Sequence, residues 1–291
     1  MGFPMPAETT PPQRLRVEVV DASSVQASHS PTWVLVVDVL RATTTLQRAL
    51  EHGAAGVLPV ADLEAAHRVA GELGREQVIL CGERDGVAQP GFDRGNSPLE
   101  MSGALVKGKP VVLTTTNGTT ALDAALRATR EFGNVMTACF PNRAAVARGL
   151  WKQAARADGP LQIQICCAGR RGGSGEDDEL FAAGLLHALR REAGSAELEL
   201  GDRARSLAPR WSERLEDSDR LYEELLETEA GAWLESLGFE SDVRACARLD
   251  EASSVPVLRE ERIAGRVRPV LRLKDASNLG SGPPGAPKAA Q

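Results

Sequence analysis

Four separated stretches of the chain set carboxylates beside arginines, hydroxyls and glycines, and each follows or closes an apolar run. The first is Asp38-Val39-Leu40-Arg41-Ala42-Thr43-Thr44-Thr45, at the end of the run Val34 to Val37. Asp38 offers oxygen to a hard cation, Arg41 a planar fork to an oxyanion, and the threonines offer hydroxyls and backbone N–H groups where a helix begins. A lone carboxylate closing a Val-rich strand is costly unless it is used, and capping a helix or pairing with Arg41 is the structural alternative. The second stretch is Gly82-Glu83-Arg84 with Gly91-Phe92-Asp93-Arg94-Gly95-Asn96-Ser97-Pro98. In isolation Glu83-Arg84 reads as an exposed ion pair that contributes little.

The third stretch, Thr114 to Thr120, places five threonines around Asn117-Gly118. That step is either a simple turn or, with its neighbours, a cradle of hydroxyl and N–H groups for an oxyanion. The fourth runs from Cys167-Ala168-Gly169-Arg170-Arg171 into Glu176-Asp177-Asp178-Glu179. Its basic loop suits phosphate, and its acids form a favourable first helical turn unless some of them face the other loops. Opposite charges converging on one edge suggest a metal plus an anion.

Other chemistries find little support. No GxGxxG follows the first strand, and neither a Walker sequence nor a GxSxG elbow is present. The four histidines stand alone and no CxxC or HExxH occurs, so a zinc site is poorly supported. The five cysteines are scattered, mostly in apolar runs, and read as reduced and structural. A formal net charge of -6 without a basic stripe argues against a nucleic-acid partner. No apolar run reaches membrane-span length, so a cytoplasmic protein without a membrane partner is expected.

The elements that must position these residues alternate. Strand-like runs at Leu15–Val20, Trp33–Val37, Ala55–Val60, Gln77–Cys81, Pro110–Leu113, Asn134–Cys139 and Leu161–Cys167 are separated by helical patterns. These begin near Thr44, Leu63, Ala121, Asn142 and Glu176. That order predicts the α/β class, a three-layer α/β/α arrangement with a mostly parallel sheet. Ligands in such folds bind beyond the carboxyl ends of the strands, where all four stretches fall. Charged helical patterns over Leu207–Leu226 and Thr228–Leu237 read as peripheral, solvated C-terminal helices. Val255–Leu258 and Arg266–Leu273 read as late strands, one suited to a sheet edge by its proline and charges. Residues 1–14 read as a disordered leader, 15–276 as a single α/β domain and 277–291 as a disordered tail. Val34–Leu50 also aligns without a gap on Pro110–Leu126, strand on strand and helix on helix.

Taken together, the four stretches resemble the 2-phosphosulfolactate phosphatase family, in the family's order and over about Leu15 to Val270. The resemblance implies a magnesium-dependent phosphatase that releases phosphate from 2-phospho-3-sulfolactate, a step toward coenzyme M in methanogens. The family follows its Cys-Ala-Gly segment with a Gly, a Ser and a Glu-Asp pair. Here Gly172 to Gly175 leaves the register of Glu176, Asp177 and Asp178 ambiguous. On the chemistry of such a substrate, Asp38, Arg41 and Asn117 are the expected catalytic residues. Arg41, Thr43, Thr44, Arg84, Asn96, Ser97, Thr116, Asn117, Gly118, Thr119 and Arg170 are expected to bind the anionic groups. Asp38, Glu83, Glu176 and Asp177 are expected to ligate Mg²⁺. A metal-activated water is the preferred nucleophile and direct attack by Asp38 the other. A phosphatase of another small phospho acid, or a non-catalytic binder of such acids, are the competing functions. The expected partner is the small phosphorylated substrate, with a homo-oligomer open.

Overall fold

The computed structural model describes residues 14–26, 32–129, 132–157, 159–169, 175–193 and 197–279. Among them the strands are β1 (Arg14–Asp21), β2 (Thr32–Val37), β3 (Gly56–Pro59), β4 (Ile79–Arg84), β5 (Val87–Ala88), β6 (Pro110–Thr114), β7 (Val135–Ala138), β8 (Leu161–Cys167), β9 (Glu197–Leu200), β10 (Ser254–Ile263) and β11 (Arg266–Asp275). The helices are α1 (Ala42–Glu51), α2 (Leu63–Leu73), α3 (Gly103–Val106), α4 (Gly118–Thr129), α5 (Arg143–Ala154), α6 (Glu176–Ala193), α7 (Asp202–Leu207), α8 (Ser218–Leu226), α9 (Glu229–Ser236) and α10 (Glu240–Cys246). The strands form one mostly parallel sheet in the order β5-β4-β6-β3-β11-β10-β7-β2-β8-β1-β9, covered by helices on both faces, as the alternation predicts.

β2 is buried throughout, and its period-2 alternation feeds two cores at once. Trp33, Leu35 and Val37 join the core made with α5 and α6, whereas Val34 and Val36 join a second core with Leu46 of α1 and Leu122 of α4. That second core also contains Ile79 of β4 and Val111 of β6. β4 and β2 are six strand positions apart, about 29 Å in a flat sheet at ~4.8 Å per strand. Asp38 at the end of β2 and Glu83 of β4 nevertheless line one small cavity, so the sheet is bent, with α1 and α4 packed on the face that carries the second core. Outside it, α2 covers β3, β4 and β6 through Ala66, Val69 and Ala70 packed on Leu58, Leu80 and Val112.

Neither late strand takes the sheet edge expected for one of them. β10 and β11 form an antiparallel hairpin in the middle of the sheet, between β3 and β7. β7 meets the hairpin at Met136 opposite Val257 and β3 meets it at Val57 opposite Leu271, so few ladder bonds are asked of it. Pro256 and the charges from Arg259 to Arg268 are tolerated there because the charged half runs past these pairings.

The C-terminal helical patterns also differ. The expected single helix over Leu207–Leu226 is broken by Pro209 and the turn at Glu213–Glu216 before α8 begins with Asp217 as its side-chain cap. β9, α7 and α10 were not expected. These helices are not merely peripheral, because α9 and α10 reach the carboxyl ends of the strands.

Candidate active site

Beyond the ends of β2, β4, β6 and β8 lies a cavity of about 190 Å³. Its wall brings together Asp38, Arg41, Glu83, Asn96, Thr116, Asn117 and Asp177 from the expected set, and adds Asp178 and the backbone of Gly86 and Gly169. Ala230, Trp233 and Leu234 of α9 supply an apolar side.

Asp38 follows the last residue of β2, and its carboxylate lies at the backbone of Ala42 and Gly118, the first residues of α1 and α4, whose N–H groups favour its charged form. Two helix N-termini thus converge on one carboxylate. The ungapped pairing of Val34–Leu50 with Pro110–Leu126 sets Ala42 opposite Gly118, so the two similar units meet head to head at Asp38. A Cβ on Gly118 would lie 2.7 Å from Asp38 Oδ2 and 2.9 Å from Ala42 Cβ, so only glycine allows this approach. Despite both donors, Asp38 is raised from 3.8 to about 7, first by burial and then by the negative charges of Asp177 and Glu83.

Glu83 ties two loops together. Its Oε1 accepts from Thr116 N at 2.7 Å, and its Oε2 accepts from Gly86 N at 2.7 Å and Thr116 Oγ1 at 3.1 Å. Gly86 belongs to the two-residue turn between β4 and β5, where Asp85 and Gly86 both have positive φ, the conformation Asp-Gly supplies in a tight hairpin. Asp178 does the same on the other side, accepting from Val39 N and Gly169 N, each at 3.0 Å. Burial and the charges of Asp177 and Asp38 push it well above its usual range.

Several expected residues serve the walls instead of lining the cavity. Thr43 Oγ1 donates to Asp38 O at 2.9 Å and Thr44 Oγ1 to Val39 O at 3.0 Å, so both hydroxyls brace the turn that carries Asp38. Thr119 and Thr115 exchange bonds and secure the start of α4. Arg84 donates to Glu83 O at 2.6 Å and Thr114 Oγ1 at 3.0 Å. Ser97 caps a short 3-10 turn through Leu99 N, not a helix, and donates to Asp242 Oδ1 at 2.6 Å. Glu176 is exposed at the start of α6, while Asp177 and Asp178 turn inward; helical rotation separates the three. Arg170 lies outside the described residues.

Arg41 is almost fully buried. Its Nη1 donates to Asp242 Oδ2 and its Nη2 to Gly86 O, both at 2.7 Å, and Phe239 stacks on the guanidinium at 4.4 Å. Asp242 was not expected as a site residue, although a signal exists. It shares the stripe Phe239, Asp242, Val243, Cys246, and an acid on an apolar helical stripe implies a buried partner. Asn96 Oδ1 is buried without a hydrogen-bond partner.

The donor set fits a small hard cation. Mg²⁺ is commonly held by one or two carboxylates, with waters and phosphate oxygens completing the octahedron. Asp38 and Asp177 repel each other across the cavity, and Glu83 adds to that repulsion. Among the described residues no three His, Cys, Asp or Glu side chains are grouped so as to hold a metal ion by themselves, so a bound ion would rest on fewer side chains with waters and substrate oxygens. Of the four expected ligands, Asp38, Glu83 and Asp177 line the cavity, whereas Glu176 is exposed outside it. Among the described residues no helix is long and apolar enough to cross a membrane.

The family model described as 2-phosphosulpholactate phosphatase matches residues 20–261. A protein of Parasynechococcus marenigrum named "Probable 2-phosphosulfolactate phosphatase" is 39% identical over 235 residues, covering 80% of this chain and 92% of its own. Proteins of the same name from Deinococcus radiodurans and Thermus thermophilus are 39% and 38% identical. They cover 84% and 90% of this chain, and 93% and 100% of their own lengths.

Proposed function

The chain belongs to the 2-phosphosulfolactate phosphatase family, and from that premise we propose that it hydrolyses the phosphate monoester of a small acidic 2-phospho acid in a Mg²⁺-dependent reaction. The leading substrate is 2-phospho-3-sulfolactate, yielding 3-sulfolactate and phosphate. The observation that carries the reading is the cavity lined by Asp38 from the end of β2, Glu83 from β4, and Asp177 and Asp178 from the first turn of α6. Four carboxylates beside one arginine already paired to Asp242 repel a phosphate dianion unless a cation joins them.

Asp38 and Asp177 would hold Mg²⁺, with Glu83 and Asp178 fixing the loops behind them. When bound, the ion supplies charge neutralisation at the transferring phosphoryl group and activation of water. Arg41 orients an anionic group of the substrate from the opposite wall. Asn117, which lines the cavity at the entrance to α4, would donate to a phosphoryl oxygen where two helix N-termini favour negative charge. Trp233 and Leu234 shield one side from water. Asp38 keeps an oxygen toward the reacting centre whether it orients the attacking water or attacks phosphorus itself.

The test is phosphate release from 2-phosphosulfolactate and from a panel of phosphorylated three-carbon acids, after EDTA treatment and after Mg²⁺ is restored. Release that vanishes and returns is the expected result. Full release in metal-free buffer overturns the metal dependence. Thermal stabilisation by these acids with no release in single-turnover incubation would make the protein a binder, not a hydrolase.

A further inference from the structure

We propose that Asp242 is a positioning residue that holds Arg41 on the substrate side of the cavity, away from the carboxylates opposite. The inference rests on the hydrolase reading for its link to substrate, and on geometry alone for its link to Arg41.

A guanidinium facing several carboxylates across a small cavity has a strong electrostatic reason to collapse onto them. Were Arg41 to do so, it would neutralise the charges that a cation needs. Three contacts prevent this. Asp242 Oδ2 takes Nη1 at 2.7 Å, Gly86 O takes Nη2 at 2.7 Å, and the Phe239 ring covers one face at 4.4 Å. Asp242 and Phe239 both come from the start of α10, so the helix presents a carboxylate and a ring as one clamp.

Asp242 is itself anchored. Its other oxygen accepts from Ser97 Oγ at 2.6 Å, and the side chain is buried. Ser97 follows Asn96, whose side chain lines the same cavity. One carboxylate on α10 therefore sets two wall segments from separate loops, one carrying Arg41 and one carrying Asn96. A buried carboxylate with both oxygens committed to such partners is a stiff support, and the pair is charge-assisted.

Asp242→Asn keeps the shape and removes the charge that retains Arg41. In the metal-loaded enzyme, kcat/KM for 2-phosphosulfolactate is expected to fall about tenfold or more, mostly through KM. Without substrate, the Mg²⁺ concentration giving half of the thermal shift is expected to rise severalfold, because the released guanidinium competes for the carboxylates. Asp242→Glu should keep the Mg²⁺ midpoint within about twofold of wild type, since the charge is retained. Asp242→Asn combined with Arg41→Met should return the Mg²⁺ midpoint to that of Arg41→Met alone, because the competing cation is gone.

Binding can be followed separately by titrating inorganic phosphate in the presence of Mg²⁺ and reading intrinsic fluorescence. Trp233 is 39% exposed on the cavity wall, while Trp33, Trp151 and Trp211 are 5–6% exposed, so cavity binding reports through Trp233. Weaker phosphate binding in Asp242→Asn is expected. An unchanged Mg²⁺ midpoint in Asp242→Asn, or effects of the two substitutions that simply add, overturns the proposal. If Asp242→Asn fails to fold, Ser97→Ala decides: it removes one anchor of Asp242 with every charge in place, and no movement of the midpoint overturns the claim. If wild type releases phosphate from none of the acids, the hydrolase reading fails, while the Mg²⁺ midpoints still decide the role of Asp242.

Discussion

Asp38→Asn should abolish turnover and, in metal-free protein at pH 8, raise stability. Asp38 is lifted from 3.8 to about 7 by burial and by its acidic neighbours, so folding holds its proton more tightly than the unfolded chain does. The native state therefore loses stability as pH rises from 3.8 to about 7, and the loss levels off above that. A shift of about three units at ~1.36 kcal/mol each sets a ceiling near 4 kcal/mol. Asparagine removes this repulsion but sets an amide NH₂ against one of the two N–H donors of Ala42 and Gly118, which costs about 1–3 kcal/mol. The balance is a gain of at most about 1–3 kcal/mol at pH 8, or roughly 2–6 °C in Tm for a domain of this size. Below pH 4 only the cost remains, so the variant should be the less stable protein there. Thermal denaturation in EDTA from pH 4 to pH 8 measures this, and saturating Mg²⁺ should reverse the order at pH 8 because only wild type gains from the ion. A variant destabilised at pH 8 without metal, or one with the same pH slope as wild type between 5 and 8, refutes the reasoning.

Three further outcomes follow from the walls of the cavity and its surroundings. Gly118→Ala sets a methyl group 2.7 Å from Asp38 Oδ2, and should lower kcat/KM by at least about tenfold while costing about 1–3 kcal/mol, even though alanine favours the helix. Glu83→Gln replaces an acceptor that takes three bonds, so a lower Tm with a raised Mg²⁺ requirement is expected by thermal shift. Arg143 and the Trp211 indole hold Glu216 down to about 2, so its stabilisation is complete above pH 4.5 and lost as pH falls toward 2; Glu216→Gln should flatten the acid limb of Tm against pH.

The β-α alternation was legible because buried parallel strands read as short apolar runs, and β8 falls on the residues its pattern marks. The four polar stretches were legible too, since carboxylates and glycines at strand ends have few structural uses. The threonines at 43 and 44 misled, because a hydroxyl can brace its own turn as readily as it can bind an anion, and composition does not separate the two. The bend of the sheet was not legible: it depends on α1 and α4 filling one concave face, a long-range property of packing. Asp242 and Trp233 were hidden by distance, since α9 and α10 come some two hundred residues after Asp38 and no motif ties them to it. Glu176 and Asp177 could not be ranked until helical phase placed one outside and one inside.

The β10–β11 hairpin has a bearing on how the chain acquires its shape. The strands made first fall into two groups, β5-β4-β6-β3 and β7-β2-β8-β1-β9, which share no direct pairing; the last hairpin lies between them. During synthesis the inner borders of both groups remain unpaired until residues 254–275 emerge from the ribosome. Closure of the sheet then waits for this hairpin, and a chain stopped at residue 253 would carry every proposed catalytic side chain yet lack the strands that hold the two groups in one sheet.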